Sequence, residues 1–216
     1  MSRDPLFKTV RKLRRPVFTT REATALAGKS LSATTQGLGY LARQGLLLKV
    51  RRGLWADSND ERLSVFALVP FLAGGRRAYV SFLSALHLHG IVEQIPQVVT
   101  LASTGHSKTI RTPLGVYKIH KIVPTFFDGF DWYRGEGAFL IASPEKALVD
   151  SLYLSAHRKK QYRRFPELHL AGSFSFRKAA DWARKIPSSR ARSRVLRDLE
   201  RLRTAVIAQT GNSLRN

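Results

Sequence analysis

Eight residues between positions 32 and 52 have the types and spacing to read and grip a DNA duplex: Ser32, Thr35, Gln36, Tyr40, Arg43, Lys49, Arg51 and Arg52. A glutamine amide offers a donor and an acceptor in one plane, which matches the exposed edge of adenine. Serine and threonine hydroxyls reach base edges or phosphates. Arginine and lysine neutralise phosphates and set register without reading sequence. To act together, the first five residues must share the exposed side of a helix, and the last three must sit in a turn beside it.

The surrounding stretch, SLSATTQGLGYLARQGLLLKVRRGLWAD at residues 30–57, supplies both elements. Leu31, Thr34, Leu38, Leu41 and Ala42 recur at helical spacing and predict one buried stripe, which turns the five polar positions outward. Ser30 and Ser32 are candidate N-caps, and Gly45 can take the left-handed stop conformation. Residues 46–50 and 54–56 read as two strands of a hairpin with Arg51-Arg52-Gly53 at its tip. Gly37 and Gly39 each cost about 1 kcal/mol against alanine in a helix interior. Tertiary packing must therefore hold this helix, and a missing Cβ permits close approach of a neighbour or of DNA. Upstream, residues 5–13 predict a helix with Leu6, Val10 and Leu13 on one face, ended by Pro16. Val17-Phe18 reads as a short extended piece, and Thr19-Thr20 as the cap of a helix with Ala23, Leu26 and Ala27 inside. Two helices, a turn, a third helix and a hairpin is the order of a winged helix-turn-helix. Its third helix enters the major groove while the wing lies on the phosphate backbone.

Composition points the same way. The 216 residues include 37 Lys/Arg against 15 Asp/Glu, for a net charge of +22. Residues 1–57 hold 12 basic against 3 acidic residues, 58–156 hold 9 against 8, and 157–203 hold 15 against 4. Two basic ends thus flank a neutral middle, and a polyanionic partner relieves such self-repulsion. The basic stretches alternate with compact helical patterns and form no one-sided amphipathic anchor, which favours nucleic acid over a membrane surface. The absence of cysteine excludes disulfides, thiolate metal sites and cysteine nucleophiles. Apolar runs at 65–73 and 138–142 are too short to span a bilayer, and no apolar segment follows the basic start as a signal peptide would require. The expectation is a cytoplasmic protein.

Ser58-Asn59-Asp60 reads as a boundary. Beyond it, residues 61–73 predict an apolar helix interrupted at Pro70, and Ser81 caps a helix running to His89 and Gly90. Residues 97–102, 109–111, 116–122, 126–133 and 138–141 are short β-rich runs separated by turn residues, which predicts a small, mostly antiparallel sheet. Ser143-Pro144-Glu145 starts a helix with cap, proline and first-turn acid in order. Asp150 lies near that helix's buried face, where it is expected to make a structural hydrogen bond or salt bridge. From His157 the chain reads as basic and helical, with Phe174, Phe176, Ala180 and Trp182 in the core. Ser188 or Ser189 caps a last helix carrying Val195, Leu196, Leu199 and Leu202. Arg190, Arg192 and Arg194 on it form a candidate second polyanion-facing surface.

Enzyme signatures fail. No Walker loop, no GxGxxG after a strand, no GxSxG and no HExxH is present. His87 and His89 would point about 200° apart on a helix and could not share a metal ion. Glu145-Lys146 resembles a nuclease acid-and-lysine pair only superficially, with no carboxylate on a preceding strand to complete it. No catalytic residue, cofactor or metal is expected.

The order of RRGLWA, then SFLSALHLHG within YVSFLSALHLHGI, then SPEKALVD within ASPEKALVDSLYL resembles the AbiEi family over residues 4–203. Members are antitoxins of type IV toxin–antitoxin, or abortive infection, systems. The resemblance implies an N-terminal domain that represses its own operon by binding repeats in the promoter. It also implies a C-terminal domain that counters a cognate nucleotidyltransferase-type toxin, with or without direct contact. The expectation is therefore an α+β protein: a winged helix-turn-helix at 1–57, a mixed antitoxin domain at 58–203 and a frayed tail at 204–216. Two alternatives stay open, a nucleic-acid-processing enzyme delivered by the winged helix and a plain transcription factor.

Overall fold

The computed structural model describes residues 5–135, 137–157, 167–170 and 174–213. The basic stretch 158–166, part of the expected continuation after His157, lies outside the described residues. The N-terminal segment runs α1 (Pro5–Arg11), β1 (Val17–Thr19), α2 (Thr20–Ala27), α3 (Leu31–Arg43), β2 (Leu47–Arg51) and β3 (Leu54–Asp57). The strands form an antiparallel sheet in the order β1-β3-β2. Thr19 starts α2 through a capping box with Glu22, its hydroxyl accepting from the Glu22 amide while the Glu22 carboxylate accepts from the Thr19 amide. Ser30, not Ser32, caps α3.

Side-chain alternation in this small sheet divides it between two cores. Phe18, Leu47 and Trp55 face α1, α2 and α3 and pack with Leu6, Phe7, Val10, Ala23, Leu38 and Leu41. Val17, Val50, Leu54 and Ala56 face the other way and belong to the core that contains Leu68, Val69, Leu72 and Tyr79. Because the strand period is two, β3 is buried on both faces. The expected boundary after residue 57 is thus a change of composition but not a gap between cores.

The second part opens with a 3-10 turn (Val65–Leu68) and the four-residue α4 (Val69–Leu72) in place of the longer helix expected at 61–73. Then come β4 (Ala78–Val80), α5 (Phe82–Leu88), β5 (Val99–Ser103), β6 (Lys108–Thr112), β7 (Gly115–Lys121), a 3-10 turn (Pro124–Phe126), β8 (Phe130–Trp132) and β9 (Leu140–Ala142). Helices α6 (Pro144–Ala156), α7 (Phe176–Arg184) and α8 (Ser189–Ser213) follow. The sheet has six strands in the order β6-β7-β5-β4-β9-β8. It is mixed: β5–β7 and β4–β9 are parallel, while β4–β5, β6–β7 and β8–β9 are antiparallel. The fold is therefore α+β as expected, but the second sheet is larger and less antiparallel than its short runs suggested. The described part of the expected tail is helical as well, since α8 continues to Ser213. Residues 205–208, AVIA, contain neither glycine nor proline to break it.

Candidate nucleic-acid interface

Burial of α3 fixes which of its residues meet solvent. Thr34, Leu38 and Leu41 are buried, and Ser32, Thr35, Gln36, Tyr40 and Arg43 are all exposed along the opposite side. Leu31 departs from its expected place in the inner stripe and is 54% exposed. As the first residue of α3 it lines a cleft instead. Gly37 favours close packing: a Cβ there would stand 2.6 Å from Leu6 Cδ2, so any larger residue would force the buried Leu6 side chain of α1 to shift. Gly39 has no such neighbour, its closest outside atom being Arg43 Nη1 at 3.9 Å from a built Cβ. It leaves the outer face of α3 low between Gln36 and Tyr40.

The hairpin stands beside this face. A bulge between Lys49 and Arg51 bends β2, and Gly53 turns the chain at φ +76°, a left-handed value that favours glycine. The turn is tied back to the helices, since the Thr20 amide donates to the Gly53 carbonyl at 2.9 Å and the Trp55 indole donates to the Thr20 hydroxyl at 2.8 Å. Lys49 lies 5.7 Å from the centre of the Trp55 ring. Between helix and hairpin runs a cleft of about 590 Å³ walled by Leu31, Thr35, Lys49, Arg52 and Trp55, with Arg21 at its edge. Three cations, Arg21, Lys49 and Arg52, therefore share one concave surface with Leu31 and Thr35 of α3.

Arg51 and Arg52 have different surroundings. Both are exposed, but the Arg51 guanidinium donates to the carbonyl of Phe71 in α4 and so spans from the hairpin to the second part of the chain. Arg52 faces the cleft. Sequence spacing alone does not separate them, because the partner is 20 residues away.

The three arginines expected to act together on α8 also diverge. Arg192 is half-buried and donates to the Ile186 carbonyl at 3.2 Å, closing the end of α7. Arg190 and Arg194 are exposed and share a face with Arg197 and Arg201 at i+7 and i+11, away from the buried Val195 and Leu199. Asp198 offsets part of that charge, lying 3.7 Å from Arg194 and 3.9 Å from Arg201.

Asp150 is where the sequence placed it, inside, but its partners were not all legible. Lys146, one helical turn back, donates to one carboxylate oxygen. Ser81 (2.7 Å) and Tyr79 (3.0 Å) donate hydroxyls to the other. All four groups are buried. Ser81 does stand at the N-cap position of α5, yet its hydroxyl is spent on Asp150 and makes no cap bond. Burial pulls the Lys146 ammonium below its usual range, with Asp150 opposing, and the ammonium rests 3.7 Å above the centre of the Phe126 ring. Burial and the Asp150 charge push the Tyr79 phenol well above its usual range. This is a neutralised, closed network that holds α6 to β4, with no group facing solvent.

His87 in α5 and His89 at its C-cap are likewise engaged singly. His87 Nδ1 lies 3.0 Å from the Val92 carbonyl and His89 Nε2 lies 2.8 Å from the Ala142 carbonyl. Among the described residues no group of three His, Cys, Asp or Glu side chains is placed to hold a metal ion, and no helix is long and apolar enough to cross a membrane.

Compared with known families, residues 8–56 match the family model described as a transcriptional regulator, AbiEi antitoxin. That segment covers most of α1 and everything from β1 to Ala56 in β3, so it coincides with the helices and hairpin that build the interface. No curated protein matches the chain.

Proposed function

We propose, on the premise that residues 8–56 are an AbiEi-type regulator segment, that α1 to β3 form a winged helix-turn-helix which binds the promoter of the protein's own operon. In this reading α3 enters the major groove. Gln36, Ser32 and Thr35 address base edges, Tyr40 and Arg43 follow the groove wall, and Lys49 and Arg52 contact phosphates from the wing. One observation carries the reading: five polar side chains share the solvent face of α3, and one of them, Thr35, lines a concave cleft with Lys49 and Arg52 of the hairpin. Arg51 contributes by fixing the wing to α4 and not by reading DNA.

The antitoxin half of the proposal falls to the remainder of the chain, which would counter a cognate nucleotidyltransferase-type toxin. Its support is the order of the SFLSALHLHG and SPEKALVD motifs and the basic face of α8. That face is better represented by Arg190, Arg194, Arg197 and Arg201 than by a set that includes Arg192. The rival processing-enzyme reading gains nothing from Lys146, whose ammonium is buried and paired.

The test is binding of the full chain to a promoter duplex and to a shuffled duplex, followed by fluorescence anisotropy over a range of salt. Preference for the promoter is expected, with affinity falling steeply as salt rises. Gln36→Ala should cost about 1–3 kcal/mol at particular base pairs only, whereas Arg52→Ala should weaken both duplexes alike and reduce the salt slope. Equal affinity for the two duplexes, or a uniform loss from Gln36→Ala, would overturn the orientation proposed for α3.

A further inference from the structure

A second cleft, far along the sequence from the DNA-facing surface, has the composition of a ligand site. It holds about 610 Å³ and lies between β8, the start of α6 and the exposed side of α7. That volume falls in the range of small-molecule pockets, roughly 300–1,000 Å³. Trp132, on the edge strand β8, is 59% exposed, and among the described residues its ring stacks on no other. The facing wall is Trp182, which lies across the Gly129 turn. A Cβ at Gly129 would stand 2.7 Å from the Trp182 ring, and its φ of +78° favours glycine in any case. Glycine at 129 is thus what allows the tryptophan to lie down over the turn.

Cations flank these rings. Lys178 precedes Trp182 by one helical turn and lines the same cleft, and Arg134 follows Trp132 by two residues on the opposite side. Both are exposed. Each of the two carboxylates at the cleft accepts from one backbone amide, which orients it but leaves its charge in place. Buried Glu145 accepts from the Ser175 amide at 3.2 Å, and Asp131 accepts from the Trp132 amide at 2.7 Å. A free planar ring, a second aromatic wall and two cations that pair with no carboxylate among the described residues together suit a molecule with a flat π face and an attached anion. Stacking on aromatic side chains holds bases regardless of identity, while nearby cations take the phosphate. An acidic peptide would use the cations and leave the exposed tryptophan without a role.

We propose that this cleft binds an unstacked nucleoside phosphate, supplied as a free nucleotide or as one residue of a single-stranded nucleic acid. Base stacking on Trp132 and phosphate contacts to Arg134 and Lys178 would hold it.

Isothermal titration of the full-length protein with AMP, adenosine and a short oligodeoxyadenylate tests this. Saturable binding of AMP is expected, and Trp132→Ala should weaken it by about tenfold. The side chain is exposed, so far-UV circular dichroism should be unchanged. Arg134→Gln combined with Lys178→Gln should weaken AMP several-fold and leave adenosine binding as it was. Tighter binding of the oligomer than of AMP, still sensitive to Trp132→Ala, would assign the site to single strands. Equal or weaker binding would assign it to free nucleotides, and either outcome supports the cleft. Absence of saturable binding by both AMP and the oligomer, or binding unaffected by Trp132→Ala, would overturn the proposal. So would an equal loss of adenosine and AMP in the double charge variant.

Discussion

Removing one member of the Lys146–Asp150 pair should destabilise the protein far more than its place on a single helix suggests. Both side chains are completely buried. Lys146→Met leaves the Asp150 carboxylate with only the hydroxyls of Ser81 at 2.7 Å and Tyr79 at 3.0 Å. Asp150→Leu leaves a buried ammonium with the Tyr79 oxygen at 3.1 Å and the Phe126 ring. An uncompensated buried charge costs about 3–5 kcal/mol, a fifth or more of the roughly 5–15 kcal/mol that typically holds a protein folded. Lys146→Met with Asp150→Leu removes both charges and leaves only two hydroxyls short of an acceptor. The double variant should therefore lose less than the two singles combined, by about 2 kcal/mol or more. Urea unfolding followed by circular dichroism, with stabilities extrapolated to water, measures each corner of the cycle. Additive losses within about 0.5 kcal/mol would refute the idea that these groups neutralise one another inside the fold. Single losses below about 1 kcal/mol would show that the site opens to water.

The remaining predictions concern packing and pH. Gly39→Ala should stabilise the protein by up to about 1 kcal/mol, because a methyl group there meets open space, while Gly37→Ala should destabilise it by pressing on Leu6. If Gly39 serves close approach to DNA, its alanine variant will bind the promoter more weakly despite being more stable; unchanged binding would remove that role. A fragment of residues 1–57 should lack a cooperative thermal transition, since Val17, Val50, Leu54 and Ala56 lose the core they share with Leu68 and Leu72. A sharp transition matching that of the intact chain would contradict this. Burial raises the Tyr117 phenol to about 12, so above pH 10 the native state binds a proton that the unfolded state has released. The stability linked to Tyr117 is full below pH 10 and is lost as pH rises through about 12. Tyr117→Phe should flatten that alkaline decline in urea midpoints, and an equally steep fall in the variant would assign it to other groups.

Much of the N-terminal segment was legible because its signals are local. The buried stripe of α3, the caps, the glycine turn and the hairpin all depend on residues within about one turn of each other, and the structure keeps them. Leu31 failed because periodicity marks a face but not how far along it the packing extends. Arg51 could not be told from Arg52 because its acceptor is a carbonyl on a different element. The second sheet was harder for the same reason. Its central strand β4 has only three residues, AYV, lodged between Gly-Gly-Arg-Arg and a serine that reads as a helix cap. The partners of that strand, β5 and β9, arrive 20 and 60 residues later. Asp150 announced itself as a buried polar residue, but only the fold names Tyr79 and Ser81 as its donors. The cleft around Trp132 joins a strand, a loop and two helices, and no window of sequence shows it.

The way the two parts share a core bears on how regulation could work. A flexible linker would let the DNA-binding segment act independently of whatever the second part binds. Here the N-terminal three-stranded sheet buries one face in the larger core, Arg51 reaches the Phe71 carbonyl, and Arg62 donates to the Arg14 carbonyl at 2.9 Å. Packed cores resist continuous deformation, so a ligand or protein on the second part can alter DNA affinity only by favouring one discrete arrangement of this junction over another. Linkage then requires that DNA alter the affinity of that ligand by the same factor. If AMP occupies the Trp132 cleft and leaves promoter affinity unchanged, the junction is rigid and the two sites are energetically separate. If it does change promoter affinity, a promoter duplex must shift the AMP titration equally, and loosening the junction with Arg51→Ala should reduce both effects together.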